Sequence, residues 1–136
     1  MTDTDTSLAK FVWPSFSYAD ARAAIAFLQE AFGFRLTASY PPDGDVVHHA
    51  ELRWPEGGGI MLGSYQHDDR PFSQRPPGSG STYVVTDDPD AIYATAMAAG
   101  VEVVQEMREE DYGSRGFSVN DPEGNIWSFG TYRGHE

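Results

Sequence analysis

The sequence contains no cysteine, which excludes a disulfide framework, a thiolate nucleophile and any thiolate-ligated metal. Basic residues are scarce: 9 Lys and Arg stand against 21 Asp and Glu, for a formal net charge of −12. Such a surface repels a nucleic-acid duplex or an anionic membrane, because affinity for either rests on Lys and Arg. Neither is therefore an expected partner. The same charge keeps the chain in solution and attracts cationic ligands. Long apolar runs are also missing, and none approaches the roughly 20 residues needed to cross a bilayer. The stretch from Met1 to Lys10 is polar and acidic, without the basic-then-apolar order of a signal peptide; a cytoplasmic location is expected. Recognisable catalytic loops are absent as well. Gly57-Gly58-Gly59 lacks the Lys and the strand-to-helix setting of a phosphate loop, and Gly78-Ser79-Gly80-Ser81 lies in a loop-forming stretch rather than at a nucleophile elbow.

What is present suits one globular domain over residues 1–136, with 40% hydrophobic and 13% aromatic residues. The strongest signal is an internal repeat at an offset of 67. It pairs Asp20 with Asp87, Ala24 with Ala91, Ile25 with Ile92, Ala31 with Ala98 and Gly33 with Gly100. It also pairs Pro55-Glu56-Gly57 with Pro122-Glu123-Gly124, Gly63 with Gly130 and Tyr65 with Tyr132. Chance would supply about three such identities between segments of this length. Read without gaps, the repeat divides the chain into a module at 11–65, a linker at 66–80 and a second module at 81–132.

Both modules carry the same pattern. Phe11–Tyr18 alternates as a strand does, and Asp20 opens a helix whose apolar residues Ala21, Ala24, Ile25, Leu28 and Phe32 recur at helical spacing. Gly33 closes it as a left-handed cap. Strands are predicted over Phe34–Tyr40, Val46–Trp54 and Gly59–Tyr65, separated by turns rich in Pro, Asp and Gly. In the second half a strand over Ser81–Thr86 leads to Asp88 as N-cap, Pro89 in the first helical turn and Gly100 as the stop. Strands over Val101–Met107, Gly116–Asn120 and Asn125–Tyr132 complete it. The intervening Gln66–Gly80, rich in Pro, Gly, Ser and Asp, reads as a linker or mobile loop. The expected class is α+β, with two tandem βαβββ modules.

Two such modules resemble the vicinal oxygen chelate superfamily, which includes glyoxalase I, extradiol dioxygenases and bleomycin-resistance proteins. The resemblance runs from Phe11 to Tyr132 and is sharpest at Asp20–Gly33 (DARAAIAFLQEAFG) and Asp121–Tyr132 (DPEGNIWSFGTY). It implies curved mixed sheets around a cup. In metal-dependent members, each module gives one ligand from its first strand, about seven residues before the helix-opening Asp, and one from its last strand, four after the turn Gly. Those positions here are Trp13, Gly80, Met61 and Ser128, which cannot replace His and Glu around a hard or borderline divalent ion. No metal and no other cofactor is therefore expected. His48 and His49, adjacent in a strand, point to opposite faces and cannot share an ion. His49 and Glu51 share a face, as hydrogen-bond partners, as acid–base groups or as two ligands of a metal. His67 and His135 are assigned no role.

Strand parity sorts the remaining side chains. Phe16 and Tyr18 face the first helix, leaving Trp13, Ser15 and Ser17 on the other side; Ile60, Leu62, Trp127 and Phe129 face inward, leaving Met61, Gly63, Ser128 and Gly130. Ala50 and Leu52 match Phe117 and Val119 as core, so His49, Glu51 and Ser118 face the cup. The candidate ligand-binding set is Trp13, Ser15, His49, Glu51, Met61, Ser118 and Ser128. Arg115 is added as a residue that either reaches a ligand anion or closes its loop. Trp13 is either a stacking wall or a core or interface residue. The resemblance to the bleomycin-resistance branch implies a small, acidic, non-catalytic homodimer. Such a protein sequesters a planar aromatic or cationic molecule, such as an antibiotic of the bleomycin, mitomycin or thiocoraline kind, and confers drug resistance or self-resistance. The alternative is a glyoxalase-like lyase or isomerase working through His49 and Glu51.

Overall fold

A computed structural model describes residues 10–135. The acidic stretch before Lys10 lies outside it. The elements run β1 (Ser15–Tyr18), α1 (Ala21–Phe27), β2 (Arg35–Tyr40), β3 (His49–Arg53), β4 (Gly59–Ser64), β5 (Ser81–Val85), α2 (Pro89–Ala98), β6 (Glu102–Glu109), β7 (Arg115–Asn120) and β8 (Ile126–Gly130). They form two four-stranded mixed sheets of order β1-β4-β3-β2 and β5-β8-β7-β6. The crossover strand of each is parallel to its neighbour and the other pairs are antiparallel. The α+β class and the paired βαβββ modules are thus as the sequence indicates. The strands are mostly shorter than predicted: Phe11–Pro14 precedes β1 without joining it, and β3 begins only at His49.

The repeat extends to backbone irregularities. A β-bulge between Leu36 and Ala38 recurs between Val103 and Gln105, and Glu51 opposite Met61 recurs as Ser118 opposite Ser128. Each of these is displaced by 67. The offset is not uniform, however, and the gapless reading needs correction. Asp20 caps α1 by accepting from Ala23 N, and Asp88 caps α2 by accepting from Ala91 N, an offset of 68. The first module therefore holds one extra residue between cap and stop. It is absorbed in a π-helical turn over Leu28–Phe32, after which Gly33 (φ 88°) ends the helix. A π-turn widens one coil without disturbing the helix on either side. Consequently β5 is one residue out of step with β1 along the gapless repeat: Ser15 lies opposite Met61, but Tyr83 lies opposite Ser128. Val84 enters the core while Tyr83 and Val85 face outward.

One hydrophobic core serves both modules. Phe16 stacks on Trp127 at 5.2 Å, Phe32 meets Phe129 at 4.7 Å, and Trp54 lies between Phe34 (5.0 Å) and Phe129 (5.7 Å). Each fully buried large side chain contributes roughly 1.5–3 kcal/mol. Two symmetry-related carboxylates clamp the modules. Glu123 accepts from Ala19 N (2.7 Å) and Asp20 N (2.9 Å), and Glu56 accepts from Thr86 Oγ1 and Asp87 N, both at 2.7 Å. The Pro-Glu-Gly turns of the repeat thus each hold the helix entry of the opposite module. Because the helices and inner sheet faces meet in the middle, the second face of each sheet is left outward.

Segment 66–80 is more ordered than the linker reading implied. It forms a 3-10 turn over Pro71–Gln74, Gln66 N donates to Ser73 O, and Ser17 Oγ donates to Phe72 O at 2.9 Å.

Candidate functional site

The outward face of the first sheet is built in cross-strand rows. In the first, Trp13 extends beyond β1 over Gly59 of β4. A Cβ at Gly59 would stand 2.9 Å from the indole, so the missing side chain is what lets the ring lie across the strand. The indole then reaches β3, where Arg53 Cζ sits 4.8 Å from its centroid. Arg35 of β2 lies opposite Arg53. The second row runs Ser15, Met61, Glu51 and Ala38. In the third, Ser17 lies opposite Gly63, and His49 lies opposite Tyr40 with their rings stacked at 6.3 Å. His49 Nε2 and Glu51 Oε2 are 2.8 Å apart, with both side chains partly exposed.

The reading of His67 as idle is overturned. Its ring passes over Gly63 and stacks on His48 at 5.2 Å. Nδ1 lies 2.6 Å from Ser64 O, and Nε2 lies 3.3 Å from Asp68. The side chain is only 6% exposed. Among the described residues, no three His, Asp or Glu side chains converge on a point that could hold a metal ion.

The outward face of the second sheet is rich in hydroxyls. Ser118 Oγ and Ser128 Oγ are 2.7 Å apart. Beside them lie Gln105 and Tyr83, whose hydroxyl donates to Tyr132 O at 2.7 Å. Partial burial holds the Tyr83 phenol above its ordinary pKa, against the lowering effect of its hydrogen bonds. A polar hollow of about 330 Å³ opens here, bounded also by Arg108, Glu110 and Tyr112.

Of the candidate residues, Trp13, Ser15, His49, Glu51 and Met61 share the first face, while Ser118 and Ser128 share the second. Arg115 belongs to neither hollow. Its guanidinium binds Asp90 of α2 at 2.8 and 3.0 Å, with Glu109 at 3.5 Å, which fastens β7 to the helix. Of the two roles open to it, these ion pairs match the structural one rather than contact with a ligand anion. Sequence reasoning also passed over Arg53, Arg35, Tyr83 and Gln105. The signal for Tyr83 was available: two Asp N-caps 68 apart are incompatible with a gapless 67.

The model of the glyoxalase/bleomycin resistance protein/dioxygenase superfamily matches residues 10–129. The chain belongs to this superfamily. An uncharacterized protein of Mycobacterium bovis is 35% identical over 121 residues, covering 82% of this chain and 76% of the relative. Among solved structures, TioX from Micromonospora sp. ML1 matches with a TM-score of 0.78 and 27% identity, covering 90% of this chain and 98% of TioX. A glyoxalase/bleomycin resistance protein from Streptomyces sp. CB03234 matches with a TM-score of 0.64 and 28% identity, over 85% and 94% of the two chains.

With the corrected offset, the superfamily's four metal-ligand positions fall on Trp13, Met61, Ser81 and Ser128 rather than on Trp13, Met61, Gly80 and Ser128. An indole, a thioether and two hydroxyls do not fit the oxygen- and imidazole-rich shell of a divalent metal.

Proposed function

We propose that this superfamily member binds a small planar organic molecule between its outward sheet faces without a metal, and sequesters it rather than transforming it. The observation that carries the reading is Trp13. It stands at a ligand position of the metal-dependent relatives, its ring laid over Gly59 and facing outward instead of joining the core. Apolar surface with a few orienting polar groups is what a small-molecule pocket requires, and the Met61, His49, Glu51, Ser118 and Ser128 side chains supply that mixture. Similarity to the Streptomyces glyoxalase/bleomycin resistance protein supports a role in drug resistance or self-resistance, with an antibiotic as the ligand. A cytoplasmic location suits that role; among the described residues no helix is long and apolar enough to cross a membrane.

The acting unit in this reading is a homodimer. Each chain offers two open faces, and β1 and β5 each pair on one side only, with β4 and β8. A second copy placing its second face against the first face of this one closes two equivalent cups through an isologous contact.

The test is mass balance. Stoichiometric protein is incubated with a candidate planar antibiotic, with and without EDTA, and the compound is then extracted and weighed by mass spectrometry. Retention of unaltered compound in both samples supports sequestration. Conversion to product, or retention abolished by EDTA, favours the second reading, a lyase or isomerase. The specific support for that reading is the 2.8 Å contact between His49 and Glu51 on the same face.

A further inference from the structure

The cations of this chain are few, 9 in all, and five of them are held by partners among the described residues. Arg70, Arg108, Arg115 and Arg133 pair with carboxylates, and Arg22 donates to Gly44 O, Ser39 Oγ and Pro41 O. Lys10 and Arg75 are exposed, on chain outside the sheets. Arg35 and Arg53 differ from all of these. They are built into β2 and β3, stand directly opposite each other in register, and have no carboxylate or hydrogen-bond partner among the described residues. Like charges placed opposite each other across two strands are destabilising. In a chain with 21 Asp and Glu, two adjacent guanidiniums without a counter-charge among the described residues are a local cost, which the Trp13 ring offsets for Arg53 alone.

The surroundings give those charges a direction. Both line a groove of about 580 Å³ whose other walls include Phe11, Thr37 and Glu51. That volume lies within the range of small-molecule sites. The Arg53 guanidinium carbon lies over the Trp13 indole, 4.8 Å from its centroid, which gives Arg53 an aromatic neighbour on one side. Among the described residues Glu51 is the one carboxylate lining the groove, and its Oε2 lies 2.8 Å from His49 Nε2. Phe11, 45% exposed, offers an apolar ring against which a flat ligand can rest.

We propose that Arg35 and Arg53 form an anion subsite that takes the carboxylate, sulfonate or phosphate of a planar aromatic ligand. This deepens the small-molecule reading above and rests on it, while reversing the charge expected of the ligand from the overall −12. Two adjacent guanidiniums suit an oxyanion because each presents a planar fork of donors.

The experiment is calorimetric titration of the full-length protein with three probes of one shape: 2-naphthoate, neutral 2-naphthamide and 2-naphthylmethylammonium. Naphthoate is expected to bind at least ~10-fold more tightly than naphthamide, and the double variant Arg35→Gln/Arg53→Gln to reduce that ratio to within about two-fold. The amide also reports on whether the variant's pocket is intact, since its affinity should fall by less than about three-fold. Equal affinity for naphthoate and naphthamide in the wild type overturns the subsite, as does a ratio that survives in the double variant. Preference for the ammonium probe overturns the anion subsite but leaves the cup standing. Binding of none of the three overturns the subsite and counts against the cup as well.

Discussion

At the scale of single residues, Asp121 is the most heavily used polar side chain. Buried to 5% exposure, its Oδ2 accepts from Tyr18 Oη (2.6 Å), Asn125 Nδ2 (2.9 Å) and Trp127 Nε1 (3.1 Å), while Oδ1 accepts from the Glu123 and Asn125 amides at 3.0 Å. Asp121→Ala strands several buried donors at once, so a loss of roughly 3–5 kcal/mol in urea unfolding is expected. Tyr18 couples this network to alkaline pH. Burial, reinforced by the Asp121 charge and hydrogen bond, holds its phenol far above the ordinary value. The folded state therefore keeps the proton that the unfolded state releases above about pH 10, and stability should fall as pH rises past that point while being indifferent to it below. Urea titrations between pH 7 and 11 test this. Tyr18→Phe should flatten the alkaline arm, at the cost of about 1–2 kcal/mol at neutral pH. Gly59 is the residue on which Trp13 depends. A Cβ there would lie 2.5 Å from Leu52 O as well as against the indole. Gly59→Ala should cost roughly 1–3 kcal/mol and make Trp13 fluorescence more accessible to acrylamide, whereas Trp54 and Trp127 remain buried.

At the scale of elements, the π-turn is an insertion that the helix accommodates rather than a feature the fold requires. Removing exposed Glu30 should return α1 to an ordinary α-helix between the Asp20 cap and the Gly33 stop, with a stability change of only about 1–2 kcal/mol. Deleting exposed Ala94 from α2, which has no spare residue, should unfold the second module; thermal melts of the two deletions check the contrast. How far the sequence could be read follows the same division. Modules, caps and sheet faces were legible because a turn tripeptide, an N-cap Asp and period-two alternation each report local chemistry. The one-residue step was missed because ten identities in register favour a gapless alignment, and a π-turn leaves no composition of its own. That step moved the ligand-equivalent position from Gly80 to Ser81 and hid Tyr83. The choice between the two roles of Arg115 was not legible for a different reason. A long charged side chain at a strand start follows its nearest carboxylate, here Asp90 on a separate helix, which strand parity does not foresee.

At the scale of the whole molecule, the chain puts its apolar surface in the middle and leaves one open face of each sheet outside. Glu56 and Glu123 hold that arrangement by the same bond pattern, each at the helix entry of the other module. Glu56→Gln and Glu123→Gln should each cost roughly 1–3 kcal/mol in urea unfolding, since each leaves the donors at a helix entry without their carboxylate. If the proposed homodimer is the acting unit, sedimentation velocity at micromolar concentration should report a dimer. The central claim, a metal-free cup walled by Trp13, is tested most directly by Trp fluorescence during titration with a panel of planar aromatic compounds of both charges, in EDTA. The account expects saturable quenching by at least one compound, unchanged by the chelator, and a loss of roughly 1–3 kcal/mol of affinity in Trp13→Ala, the size of a stacking contact with its burial. Binding that vanishes in EDTA, or that is as tight in Trp13→Ala as in the wild type, would contradict it.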